Sequence, residues 1–138
     1  MKDLGNDLFN NQPAFAAILS ALQEHRKPEV TGLSGVSKAL FMRALGCQLN
    51  RPLLIVGEEE PSLKFYEDLL LFAGAQELDI FLDEEYGYLQ LMEAIRNKTN
   101  YFCVASREAL TQTVIPFAQY QKLYFSLSAG QTIPLEKL

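Results

Sequence analysis

The sequence predicts an α/β protein, a three-layer domain with helices on both faces of a parallel sheet. Three observations lead there. The runs PLLIVG (52–57), LDIFL (78–82) and YFCVA (101–105) are too short for helices and suit strands covered on both faces. Segments with helical spacing lie between them. The connections are short, and no internal repeat or low-complexity linker breaks the alternation.

The elements follow in order. Pro13 opens a helix over 13–26, with Phe15, Ile18, Leu19 and Leu22 on one face. Lys27-Pro28 breaks it and leads into TGLSGVSKALF (31–41). Leu40, Phe41, Ala44 and Leu45 then mark a helix ending near Gly46 or shortly beyond. After the first strand, Pro61 and Ser62 open a helix through FYEDLLLF, which Gly74 stops. Glu58–Glu60 precede it at the positive end of its dipole, a solvating position rather than a catalytic one.

Beyond the second strand, Tyr88, Leu91, Met92 and Ile95 give another helical face. Ser106 follows the third strand and can cap a helix from Arg107. KLYFSLS (122–128) reads as a further strand, then a turn at Ala129-Gly130. TIPLEKL begins like a helix and ends after one turn. The expected organisation is an N-terminal helix on the core (1–28), an α/β core (29–121), and a final strand with the start of a truncated element (122–138).

The composition of the 138 residues is that of a soluble globular chain, with a formal charge of −5 and a pI near 4.9. Nucleic-acid binding through phosphates needs a basic patch, and the densest cluster is only His25, Arg26 and Lys27. Strong DNA binding by this chain alone is not expected. No apolar run has the length of a membrane span, and MKDLGNDLFNNQP lacks the pattern of a signal peptide. The expected location is the cytoplasm. Cys47 and Cys103 lie far apart and, with one histidine, are too few ligands for a metal site. His25 reads as a surface residue, and no nucleophile elbow is present.

The loop at 31–41 is the one candidate site. A phosphate-binding loop reads G-x-x-x-x-G-K-[ST], and Gly32, Gly35 and Lys38 keep its register. Ser37 stands where the second required glycine belongs, and Ala39 stands where a hydroxyl should hold Mg²⁺. A side chain at 37 resists close phosphate approach, and an alanine at 39 removes the metal ligand. Gly32, Ser34, Gly35, Val36, Ser37, Lys38 and Ala39 therefore read as a degenerate nucleotide-binding loop. The turn is retained and hydrolysis is not expected. IFLDEE (80–85) imitates the acidic motif that would hold the metal, but Asp79 interrupts its apolar run. It reads better as a strand-ending acidic turn.

Taken together, TGLSGVSKALF and NRPLLIVGEEEPSLKFYEDLLLFAG resemble the N-terminal, UvrB-like region of the bacterial transcription-repair coupling factor. The family pattern T-G-L-[ST]-G-S-[AS]-[RK]-A-L corresponds to Thr31–Leu40, its R-P-L-L-V-V strand to Arg51–Val56, and its E-D-L to Glu67-Asp68-Leu69. YFCVASREALTQTVIP and LYFSLSAGQTIPLEKL resemble later segments, so the likeness spans about residues 30–138. IFLDEEYGYLQ departs from it, lacking the prolines and most of the polar loop found there in the family.

The resemblance implies a P-loop, helicase-like fold of the UvrB domain 1 type with a degenerate loop. It also implies a parent protein that displaces stalled RNA polymerase by ATP-driven translocation on double-stranded DNA and recruits excision repair through UvrA. ATP and Mg²⁺ would serve the parent motor; no cofactor is expected for this domain. It would work through intramolecular or protein contacts. Two other readings stay open: a module that binds nucleotide without hydrolysis, and a stand-alone α/β protein of the same ancestry.

Overall fold

The computed structural model describes residues 8–123 and 128–132. Among these residues three parallel strands form a sheet: β1 (Leu53–Gly57), β2 (Asp79–Phe81) and β3 (Phe102–Ser106), in the order β1-β3-β2. The helices are α1 (Pro13–Gln23), α2 (Val36–Leu49), α3 (Glu59–Asp68), α4 (Gly87–Arg96), α5 (Arg107–Leu110) and α6 (Phe117–Leu123). A π-helical turn, Leu69–Gly74, continues α3 and stops at Gly74, whose φ of 83° favours glycine.

The α/β class is as expected, and the central strand explains the sheet. All five residues of β3 are buried, which its FCVAS sequence permits because it is apolar on both faces. Phe102 and Val104 meet Ala39, Leu69 and Phe81 on one face. Cys103 and Ala105 meet Ile80, Leu82, Ala94 and Ala109 on the other. One layer is thus α2 with α3 and its π turn, and the other is α4 with α5. The β1-to-β2 and β2-to-β3 connections run in opposite directions over opposite faces. Both crossovers therefore share one hand.

The N-terminal helix packs on this body through α2. Phe15 and Phe41 meet edge-on at 5.7 Å, and Ile18, Leu19 and Leu22 join the same cluster. At the other end, Tyr120 of α6 donates to the Glu93 carboxylate of α4 at 3.2 Å.

Residues 24–35 contain no strand, so the loop enters α2 from irregular chain. Two expectations change. The helix expected from Arg107 ends at Leu110, and a separate α6 begins at Phe117. Lys122 and Leu123, expected to open a strand, close α6 instead, while most of KLYFSLS and the segment from residue 133 lie outside the described residues. Partial alternation over so few residues does not separate a strand from a short helix, and the neighbouring α4 decides it. Among the described residues no helix is long and apolar enough to cross a membrane.

Glu93 links α4 to α6. The Arg96 guanidinium holds its carboxyl at about 2, with Asn97 and Tyr120 also donating, against an ordinary value of 4.5. A depressed acid stabilises the fold above its unfolded value and loses that contribution as pH falls through its folded value. The Glu93 link is therefore expected to survive acidification from pH 4.5 towards 2. In Arg96→Ala, an NMR titration of the Glu93 carboxyl should show it protonating nearer 4.5; an unchanged midpoint would remove Arg96 as the cause.

Candidate functional site

The loop sits at the N-terminus of α2, which runs antiparallel to the strands. Gly46, late in α2, lies against Leu53 and Phe102 at the strand starts. Ala39, early in α2, packs against Phe81 and Val104. The loop thus lies towards the carboxyl ends of the strands, the edge at which open α/β sheets bind ligands.

Placement alone does not make an anion site; the backbone N–H groups must also face outward and be unoccupied. Here the loop bonds to itself. The Ser34 N–H donates to Ser37 Oγ at 3.1 Å, and that hydroxyl donates back to the Ser34 carbonyl at 2.7 Å. The Ser37 N–H also reaches the Ser34 carbonyl, at 3.2 Å, and the Lys38 N–H reaches the Gly35 carbonyl at 3.1 Å. Three donors that a phosphate would need are taken. Gly32 and Gly35 hold φ of 85° and 51°, so the tight turn expected of the two glycines is present.

Position 39 is closed to solvent. Ala39 is wholly buried among Leu69, Phe81, Phe102 and Val104, so a hydroxyl there would meet a hydrophobic layer. Val36, the first residue of α2, is half-buried. Lys38 points into solvent, and no ion pair to it is formed among the described residues. Of the features of a phosphate loop, the segment has a cation and a turn. The Ser34-x-x-Ser37 spacing, which lets a hydroxyl bond the backbone three residues away, was a sequence signal for this closure.

The acidic segment has a structural use. Asp83 takes the Ser106 N–H at 2.9 Å and also accepts from its hydroxyl. Ser106 Oγ in turn accepts from the Ala109 N–H at 3.0 Å, capping α5 as expected. Asp83 thereby ties the chain after β2 to the end of β3. The groups needed to chelate a metal do not converge: among the described residues no three of His, Cys, Asp and Glu gather. Glu59 and Glu60 occupy the first turn of α3, and Glu58 forms an exposed pair with Arg107 at 3.3 Å. Cys103 is buried, and burial, with the nearby Asp83, pushes its thiol up to about 12, far from a nucleophile's range.

Sequence reasoning missed the strongest electrostatic feature. Arg43 of α2 grips Asp79 of β2 with two hydrogen bonds, of 2.7 and 2.6 Å, and both side chains are almost fully buried. Its guanidinium also donates to the Gly74 carbonyl at 3.1 Å and lies 4.7 Å from the Phe102 ring centre. Asp79, which interrupts the apolar run in LDIFL, is the anchor of α2 on β2. A cavity of about 260 Å³ borders this pair at the opposite edge of the sheet from the loop. Arg43, Arg51, Glu77 and Asp79 in its lining balance in charge.

No protein-family profile, no curated protein and no solved structure matches the chain. The functional reading rests on the residues themselves.

Proposed function

We propose that this chain is a non-catalytic, UvrB-like scaffold domain of a transcription-repair coupling factor, working in the cytoplasm. Its parent would displace stalled RNA polymerase from damaged double-stranded DNA using ATP and Mg²⁺, and recruit excision repair through UvrA. The domain would contribute protein contacts and no chemistry. The observation that carries the non-catalytic part is the self-bonded loop, in which Ser37 Oγ occupies the Ser34 N–H and Ala39 is sealed in the core. Support for the repair assignment comes from the order and spacing of Thr31–Leu40, Arg51–Val56 and Glu67–Leu69.

The alternative of nucleotide binding without hydrolysis draws on exposed Lys38 at a helix N-terminus. The occupied donors count against it. Calorimetric titration of the chain with Mg-ATP should show no saturable binding up to millimolar concentration. Saturable binding that Lys38→Ala abolishes would replace the scaffold reading with the alternative. An immunoblot of the source cells should show a band far above 15.6 kDa. A sole band at that mass would instead favour the stand-alone protein and remove the motor on which the repair reading depends.

A further inference from the structure

We propose that the open edge of β1 pairs with β1 of a second copy of this chain, forming a two-fold dimer with a continuous sheet. The inference is independent of the nucleotide and repair readings.

Among the described residues, the order β1-β3-β2 leaves β1 at an edge. The Leu53 N–H donates to the Tyr101 carbonyl at 2.9 Å, so Leu53, Ile55 and Gly57 direct their backbone groups towards β3. Leu54 and Val56 direct theirs outward, and nothing among the described residues receives them. Their side chains are also exposed, at 50% and 46%. They lie on the face of Cys103 and Ala105, which is covered over β2 and β3 by α4 and α5 but not over β1. An apolar edge whose outward backbone groups find no partner among the described residues is a template for strand addition.

The chemistry of the strand favours its own copy. With Leu54 opposite Val56 of the partner, and the reverse, Ile55 lies on the two-fold axis. The two outward residues of each copy then exchange all four of their N–H and C=O pairs. Neither neighbouring register does this. A shift one way places Pro52, which has no N–H, opposite Val56. A shift the other way calls on Glu58, whose carbonyl already accepts from the Ser62 N–H at 2.9 Å.

The chosen register sets four aliphatic side chains side by side on the uncovered face. It also brings Arg51, which precedes β1 and donates one N–H to the Leu22 carbonyl at 3.0 Å, opposite Glu59, the first residue of α3, twice by symmetry. Charges of opposite sign thus flank β1, Arg51 before it and Glu59 after it, an arrangement that favours antiparallel over parallel self-pairing.

Sedimentation velocity of the whole chain over rising concentration is the test. The mass should move from 15.6 kDa towards twice that value. Val56→Pro removes one outward N–H per copy while leaving the β1–β3 ladder intact, and should abolish the shift. Arg51→Glu should weaken association, and adding Glu59→Arg should restore it. A wild-type chain that stays at 15.6 kDa to about millimolar concentration overturns the proposal, whether or not any variant folds. A dimer that Val56→Pro, folded by circular dichroism, leaves unchanged also overturns it, because another face would then be responsible.

Discussion

Asp79→Ala is expected to destabilise the fold by about 3–5 kcal/mol, the largest single-residue effect short of deleting a core aromatic. The side chains of Arg43 and Asp79 are only 1% and 2% exposed, so removing the carboxylate strands a guanidinium in the interior. The backbone would feel the loss as well. Asp79 also accepts from the Gln76 N–H at 2.8 Å, and Arg43 donates to Gly74, so the turn entering β2 depends on the same pair. Arg43→Met should cost a similar amount by stranding the carboxylate.

The double variant Arg43→Met/Asp79→Leu should lose much less than the sum, since no buried charge remains and apolar volume is largely kept. Arg43 Nε is buried without a partner among the described residues, so the native pair is itself incompletely satisfied. Urea unfolding of the four proteins measures the cycle. Additive losses, or a cost below about 1 kcal/mol for either single variant, would remove the pair as the anchor of α2.

Gly87→Ala is expected to cost about 3 kcal/mol through backbone overlap. A Cβ on Gly87 would sit 2.4 Å from the Phe81 carbonyl oxygen and 2.8 Å from both Cα and O of Leu82. No rotamer relieves contact with main chain. The neighbouring Gly87 N–H is already fixed to the Glu84 carbonyl at 3.0 Å, so α4 would have to shift away from the end of β2. The layer of Leu82, Ala94 and Ala109 would open. Gly46→Ala is the contrast: its Cβ would meet only the side chains of Leu53 and Phe102 at 3.2 Å, which can yield. Thermal melts should show Gly87→Ala falling well below Gly46→Ala, and equal melting temperatures would contradict the close approach of α4 to β2.

Much of the fold was legible in the residues. The apolar runs located the three described strands as short blocks, but only β3 is buried on both faces as expected; β1 leaves Leu54 and Val56 exposed on one face. Pro13, Gly74 and Ser106 marked helix ends by local chemistry that does not depend on tertiary contacts. The candidate site was legible in what it lacks. Ser37 and Ala39 are absences of a glycine and a hydroxyl, and covalent structure alone determines those.

The arrangement of the parts was not legible. Asp79 looked like a flaw in a strand because its partner lies 36 residues earlier on α2, and only the packing of α2 over β2 brings a guanidinium to it. Asp83 read as part of a strand-ending acidic turn, but nothing local showed that its partners would be the Ser106 hydroxyl and N–H at the end of β3. Lys122 and Leu123 fit a strand as well as a helix, and Tyr120 on Glu93 decided for the helix. The sheet order likewise depends on which faces the crossover helices cover, a global choice that no local pattern encodes. The sequence by itself determined most of the element types, the turn glycines and the lack of a glycine at 37 and a hydroxyl at 39, since these follow from each residue's own backbone freedom and side-chain groups. The tertiary structure alone decided which charges are buried together and which of the described strands lies in the middle of the sheet, because those depend on groups far apart in the chain meeting in space.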